Sequence, residues 1–373
     1  MRDLILGSVR PMLRLLGRDD SGAVAVLVGI LLGAGVLLGL GALVVDVGQL
    51  YAERAQLQNG ADAGALAVAK SCTKGTCVPA IATSYADANS ADGVSAVNLV
   101  CGSGPLGRCP ASTRTMVDCP PPPAPGTNYV DVHTSTLTTG GSTLLPPAFA
   151  RTLLGNQNYD GSTVHACAQA EWGPPSAASG VAVTISACEW DRATNNGTLF
   201  AQPPPYPPNA VPPPTLDQVL KLHTGSSQPT GCPAEPAGAD GPGLFGWATD
   251  PNNNCTTPVI GGSYGGNTGT SVSQACQTAI SADQVNRTLI FMPIYVSLTG
   301  TGANGVYTLK GFAAFVITGY HLPGFSASDW LNPANDCRGS RFCINGYFTQ
   351  GLIPSIGGVG GNNLGADIIK LTG

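Results

Sequence analysis

The chain has 373 residues, of which 50 are glycine and 31 proline, with only 10% charged residues and a formal net charge of -5. Such a composition offers no basic stripe to neutralise phosphates, which argues against nucleic-acid binding. Twelve cysteines stand against four scattered histidines, without a Cys-x-x-Cys, so disulfides are expected and a metal or cofactor site is not.

In chain order, residues 1–20 carry Arg2, Arg10, Arg14 and Arg18 and are expected as a short cytoplasmic tail. From Ala23 to Val45 no charged residue occurs. At 1.5 Å per residue this run spans roughly 35 Å, against a hydrocarbon core of about 30 Å. A cleavable signal carries a shorter apolar region of about 7 to 15 residues. Residues 21–45 are therefore expected as an uncleaved, single-pass signal-anchor in the cell membrane. The arginine-rich end stays inside, and the C-terminal bulk is extracytoplasmic. Gly29 and Gly33, like Gly35 and Gly39, place small residues one turn apart. That spacing suits helix packing and a homo-oligomer through the transmembrane helix, although a glycine-rich chain produces such pairs by chance. Asp46 ends the run, either marking the edge of the hydrocarbon or bonding a neighbouring helix.

Leu43, Val47, Leu50, Leu57, Ala61 and Val68 then recur at helical spacing, extending the helix over residues 46–70 as an amphipathic juxtamembrane stalk. Gly60 and Gly64 each cost about 1 kcal/mol relative to alanine, which allows a bend near them. Pro79 starts a second helix running from Val78 towards Asn89 or Val100. The stretches 120–125 and 203–214 are proline-rich and read as extended surface spacers. Strands are expected at 129–134, 163–172 and 181–190. The clearest hairpin joins 287–298 to 306–320 through Gly300-Thr301-Gly302-Ala303-Asn304-Gly305.

Every cysteine follows the apolar run: Cys72, Cys77, Cys101, Cys109, Cys119, Cys167, Cys188, Cys232, Cys255, Cys276, Cys337 and Cys343. That placement agrees with an exported, oxidising location. Spacings such as Cys72/Cys77 and Cys337/Cys343 suit small closed loops, but connectivity stays open. The expected fold class is thus α+β. A single N-terminal transmembrane helix continues into the stalk, and a β-rich, loop-rich, disulfide-bonded head occupies residues 71–373, in two lobes divided near 176.

Motifs for chemistry are weak. Gly261-Gly262-Ser263-Tyr264-Gly265 matches a nucleophile elbow, with Asp283 and His321 following in hydrolase order, but Asn267-Thr268-Gly269 prolongs a loop where a helix should begin. Gly300-x-Gly302-x-x-Gly305 imitates a dinucleotide fingerprint yet joins two strands. Trp172, Trp190, Trp247 and Trp330 are expected as core clusters rather than a glycan platform. No catalytic residue is expected.

The strings Ser21-Gly22-Ala23-Val24-Ala25-Val26, Asp46-Val47-Gly48-Gln49-Leu50-Tyr51 and Leu57-Gln58-Asn59-Gly60-Ala61-Asp62-Ala63-Gly64-Ala65-Leu66-Ala67 resemble the N-terminal module of the Tad/TadG-like Flp pilus-assembly proteins. Gly60 and Gly64 stand where that family usually has alanine. The resemblance marks Gly22, Asp46, Gly48, Tyr51, Leu57 and Asp62 as family-motif positions. It implies a membrane-anchored structural component of tight-adherence pilus assembly, working by protein–protein interaction, with other pilus-assembly proteins and the membrane as partners. No prepilin cleavage pattern surrounds Gly17 or Gly22, so a processed pilin is disfavoured. Asp160-Gly161-Ser162-Thr163-Val164 departs from the Asp-x-Ser-x-Ser of metal-dependent adhesion domains. A surface adhesin is the alternative, and an anchored exported hydrolase using Ser263 a weaker one.

Overall fold

The computed structural model describes residues 20–33, 36–110, 119–153, 160–206, 210–221, 232, 245–267, 272–300, 304–334, 337 and 342–373. Two helices open it, Asp20–Gly33 and Val36–Cys72. Short helices follow at Ile81–Ala88, Ala150–Leu153 and Ala187–Ala193, with a longer one at Gln274–Asn286. In chain order the strands are β1 (Ala96–Gly102), β2 (Asn128–Ser135), β3 (His165–Gly173), β4 (Ala178–Val181), β5 (Val183–Ser186), β6 (Gln218–Lys221), β7 (Phe245–Ala248) and β8 (Thr256–Val259). They continue with β9 (Ser263–Asn267), β10 (Leu289–Thr299), β11 (Val306–Leu322), β12 (Phe325–Ala327), β13 (Cys343–Thr349), β14 (Gly351–Leu352), β15 (Asn362–Asn363) and β16 (Ala366–Leu371). The body is α+β and rich in strand and loop, in line with the sequence reading.

Two main sheets take up all the named strands except β4 and β8, which pair with each other. The first runs β1-β2-β3-β16-β14, and the second runs β10-β5-β7-β9-β11-β13-β6, with β12 and β15 attached to β11. β16 returns from the C-terminus to pair antiparallel with β3, from Ile368 opposite Gly173 to Leu371 opposite Ala170. The first sheet therefore draws on chain from both sides of residue 176. The expected hairpin forms as β10 and β11, paired from Leu289 opposite Val316 to Thr299 opposite Val306 with register shifts on either side of Tyr295. The centre of its connection, 301–303, lies outside the described residues.

The expected strand 181–190 is half right. β5 stops at Ser186, whose Oγ accepts the Glu189 N–H at 3.1 Å and starts the helix Ala187–Ala193. Ser186-Glu-spacing of three is a capping-box signal that overrides the β-leaning composition around it. The second helix takes the shorter of its two expected extents and ends at Ala88, because β1 begins eight residues later. Helix Gln274–Asn286 had no sequence expectation. Ser273 caps it by accepting the Cys276 N–H, and Cys276, Ile280 and Gln284 repeat every four residues on its buried face.

The largest core lies on one side of the second sheet, where Ile185, Met292, Ile294, Phe315 and Ile317 meet Ile280 of that helix. Between the sheets Tyr264, Tyr295, Tyr307 and Phe312 pack with Ala366 and Ile368 of β16, which ties the two sheets together. Trp172, Trp190 and Trp247 are buried, and Trp330 is half-buried under the Arg287 guanidinium. Core packing is thus their role.

Candidate interaction surface

The helix Val36–Cys72 carries most of the motif positions, and its two ends meet different surroundings. From Leu57 onward it is built into the head and does not stand free as a stalk. Ala61, Ala65, Val68 and Ala69 lie on Val130 and Val132 of β2 and on Ala168, Ala170 and Trp172 of β3. Alanine at these positions lets the helix axis approach the sheet closely, which gives the Ala-Asp-Ala-Gly-Ala run a packing reason. Leu57 is 3% exposed. Its carbonyl accepts the Thr134 hydroxyl at 3.0 Å. Gln58 Nε2 donates to the Cys167 carbonyl at 3.0 Å and to Asp62 Oδ1 at 2.9 Å, so Asp62 holds the side chain that holds β3.

On the opposite flank the helix Ile81–Ala88 crosses at Gly60 and Gly64. A Cβ on Gly60 would lie 3.1 Å from Ala86 Cα, and one on Gly64 3.3 Å from Ala82 Cβ. The two glycines that weaken the helix locally are therefore the ones that admit its neighbour. The helix runs through both without a break.

Towards its N-terminal end the helix turns one stripe to the protein and the rest outward. Gly39, Ala42, Asp46, Leu50, Glu53 and Leu57 recur every three or four residues as the less exposed face. Burial raises the Glu53 carboxyl above its ordinary value, against a Thr136 hydrogen bond that lowers it. Asp46 is bonded within its own chain. Its carboxylate accepts three successive backbone N–H groups from the β2–β3 connection: Ala148 at 2.7 Å, Phe149 at 3.0 Å and Ala150 at 2.6 Å. A carboxylate so placed satisfies the donors that open the helix Ala150–Leu153. Nothing local in the sequence connects Asp46 with residues a hundred positions away.

The outward face is apolar and uncovered. Val24, Val26, Leu27, Ile30, Val36, Leu40, Leu43 and Val44 are exposed, and Tyr51 is 72% exposed. Apart from their chain neighbours and their own helix backbone, Gly22, Gly29, Gly33 and Gly48 have no atom among the described residues within 4 Å of where a Cβ would stand. Gly35 lies outside the described residues, and Gly39 is half-exposed. Among the described residues no helix is long and apolar enough to cross a membrane. The run 23–45 is shared between the first two helices, with residues 34 and 35 outside the described set.

All twelve cysteines pair: Cys72–Cys77, Cys101–Cys109, Cys119–Cys167, Cys188–Cys232, Cys255–Cys276 and Cys337–Cys343. Cys119, His133 and Cys167 cluster at ligand distances, as do Cys101, Cys109 and Asp131. In both groups the sulfurs are joined to each other, so no thiolate is left for a metal. Beside them a cleft lined by Ser103, Arg108, Pro120, Pro125, Tyr129 and Asp131 opens over β2. Burial pushes the Asp131 carboxyl up to about 6, although Gln169 donates to it at 3.0 Å.

Ser263, Asp283 and His321 are not brought together. Ser263 pairs with Thr308 of β11, and His321 lies near the far end of the same strand, roughly 40 Å on at about 3.3 Å per residue. Ser263 also begins a strand and no helix follows it directly.

Residues 22–71 match the Tad family model, Putative Flp pilus-assembly TadE/G-like. The Tad segment thus covers the exposed apolar helices together with the portion locked into the first sheet, and the match points to involvement in Flp pilus assembly. Neither a curated protein nor a solved structure matches the chain.

Proposed function

We propose that the protein is a single-pass, membrane-anchored structural component of Tad/Flp-type pilus assembly, acting by protein–protein contact outside the cell membrane and without catalysis. The observation that carries this reading is the division of the Tad segment. One part is committed to the head's core, and the other presents an apolar surface that no part of the chain covers among the described residues. Exposed valine and leucine over several helical turns call for lipid or a protein helix as cover. The arginines before the run favour a cytoplasmic N-terminus. Six disulfides in the head support an oxidising, extracytoplasmic location.

Within this reading Gly29 and Gly33 offer an open face for helix association, including a second copy. Tyr51, exposed just above the run, is the position from which a neighbouring assembly protein is best captured. Leu57 is unsuited because it faces the sheet. A photo-reactive group at Tyr51 in native membranes is expected to recover pilus-assembly proteins. Unchanged piliation and surface attachment after deletion of the gene would refute the proposal.

A further inference from the structure

We propose that the segment Leu144–Ala150 of the β2–β3 connection is a second membrane contact, an interfacial loop at the headgroup–acyl boundary held beside the anchor by Asp46. The inference rests on the membrane reading above and adds to it a surface outside the Tad segment.

Depth is the first argument. Asp46 directly follows the apolar run 23–45, and its carboxylate fixes the backbone of 148–150 at that level. The helix Ala150–Leu153 contacts the long helix. Ala42, one turn before Asp46, is 7% exposed while Leu43 and Val44 beside it are open. One turn is about 5 Å, so the protected stripe reaches inside the expected hydrocarbon boundary.

Composition is the second. Thr143-Leu-Leu-Pro-Pro-Ala-Phe-Ala150 has no charged residue, and Phe149 is 48% exposed. Arg151 follows, paired with Asp160 at 2.8 Å, which suits the headgroup level.

Hydrogen bonding is the third and the most selective. Irregular backbone is excluded from the hydrocarbon interior, and at its edge it is favoured where its donors are bonded and its carbonyls can reach headgroup water. Leu144 N–H donates to Ser142 Oγ and Leu145 N–H to the Ser162 carbonyl. Pro146 and Pro147 have no N–H. Ala148, Phe149 and Ala150 donate to Asp46. Every N–H from 144 to 150 is paired or missing. An ordinary solvated loop has no need of such completeness.

The full-length chain is reconstituted in phosphatidylethanolamine–phosphatidylglycerol vesicles with and without acyl-chain bromination. Phe149→Trp and Leu43→Trp variants are made separately, and emission is read as the difference from the parent chain. The expected result is a blue-shifted emission, quenched by bromolipid, at both positions. Quenching at 43 with a water-like, unquenched indole at 149 overturns the loop contact and leaves the anchor standing. Loss at both positions overturns the anchor reading itself. Adding Asp46→Ala to Phe149→Trp is expected to abolish quenching at 149 while the Leu43→Trp signal persists in the same background. Unchanged quenching at 149 overturns the tethering role of Asp46.

Discussion

Replacing Asp46 by alanine removes one acceptor group and strands three donors. Hydrogen bonds to a charged acceptor contribute about 1.5 to 3 kcal/mol each when shielded. Asp46 is half-exposed and the amides of Ala148 and Phe149 are open to water, which can replace part of the loss. Discounted for that competition, the three bonds at 2.6 to 3.0 Å together hold the loop by about 2 to 3 kcal/mol. The loss is local, because among the described residues Asp46 accepts no hydrogen bond from the sheet or from the helix beyond Leu57. Amide hydrogen exchange in detergent-solubilised protein is the assay. Exchange at 148–150 should accelerate by about 30- to 160-fold, with β2 and β3 unchanged. Asp46→Asn, which keeps a single carbonyl acceptor, should fall between. Unaltered exchange at 148–150 in the alanine variant would refute the view that this carboxylate anchors the loop.

Gly60→Leu forces a side chain into a gap where even a Cβ meets Ala86 at 3.1 Å. A loss of about 1 to 3 kcal/mol in urea denaturation is expected, and an unchanged midpoint would mean that the helix Ile81–Ala88 is not packed there. Joint replacement of Cys119 and Cys167 by alanine opens a closure of 48 residues and should cost about 4 kcal/mol on chain-entropy grounds, read by the same denaturation. The pH dependence has a defined sign. Burial raises both Asp131 and Asp367 to about 6, so the folded state holds these protons more tightly than the unfolded chain. Their contribution therefore favours folding at low pH and declines as pH rises from about 4 through about 6. Asp131→Asn keeps an acceptor for Gln169 and should gain about 1 to 2 kcal/mol at about pH 7, discounted for water in the adjoining cleft, with no gain at about pH 4. Equal gains at both pH values would contradict it.

What the sequence by itself determined is local. The charge-free run, the spaced strings of the Tad segment, the strands around 129–134 and 163–172, and the long hairpin all follow from patterns contained within a few turns or one connection. Even some misread pieces were legible, since Ser186 and Glu189 stand at capping-box spacing and Ser273 precedes a four-residue repeat of buried positions. The tertiary structure alone decided the rest. It assigned Leu57 and Ala61 to the sheet's core instead of a free stalk, gave Gly60 and Gly64 a neighbouring helix, returned β16 from the C-terminus to β3, and chose one set of six cysteine pairs. It also gave Asp46 its partners in the β2–β3 connection. Each of these depends on contacts between residues tens to hundreds of positions apart. A hydrophobic period records that a face will be buried, but the surface that buries it is settled only by the packing of the whole chain.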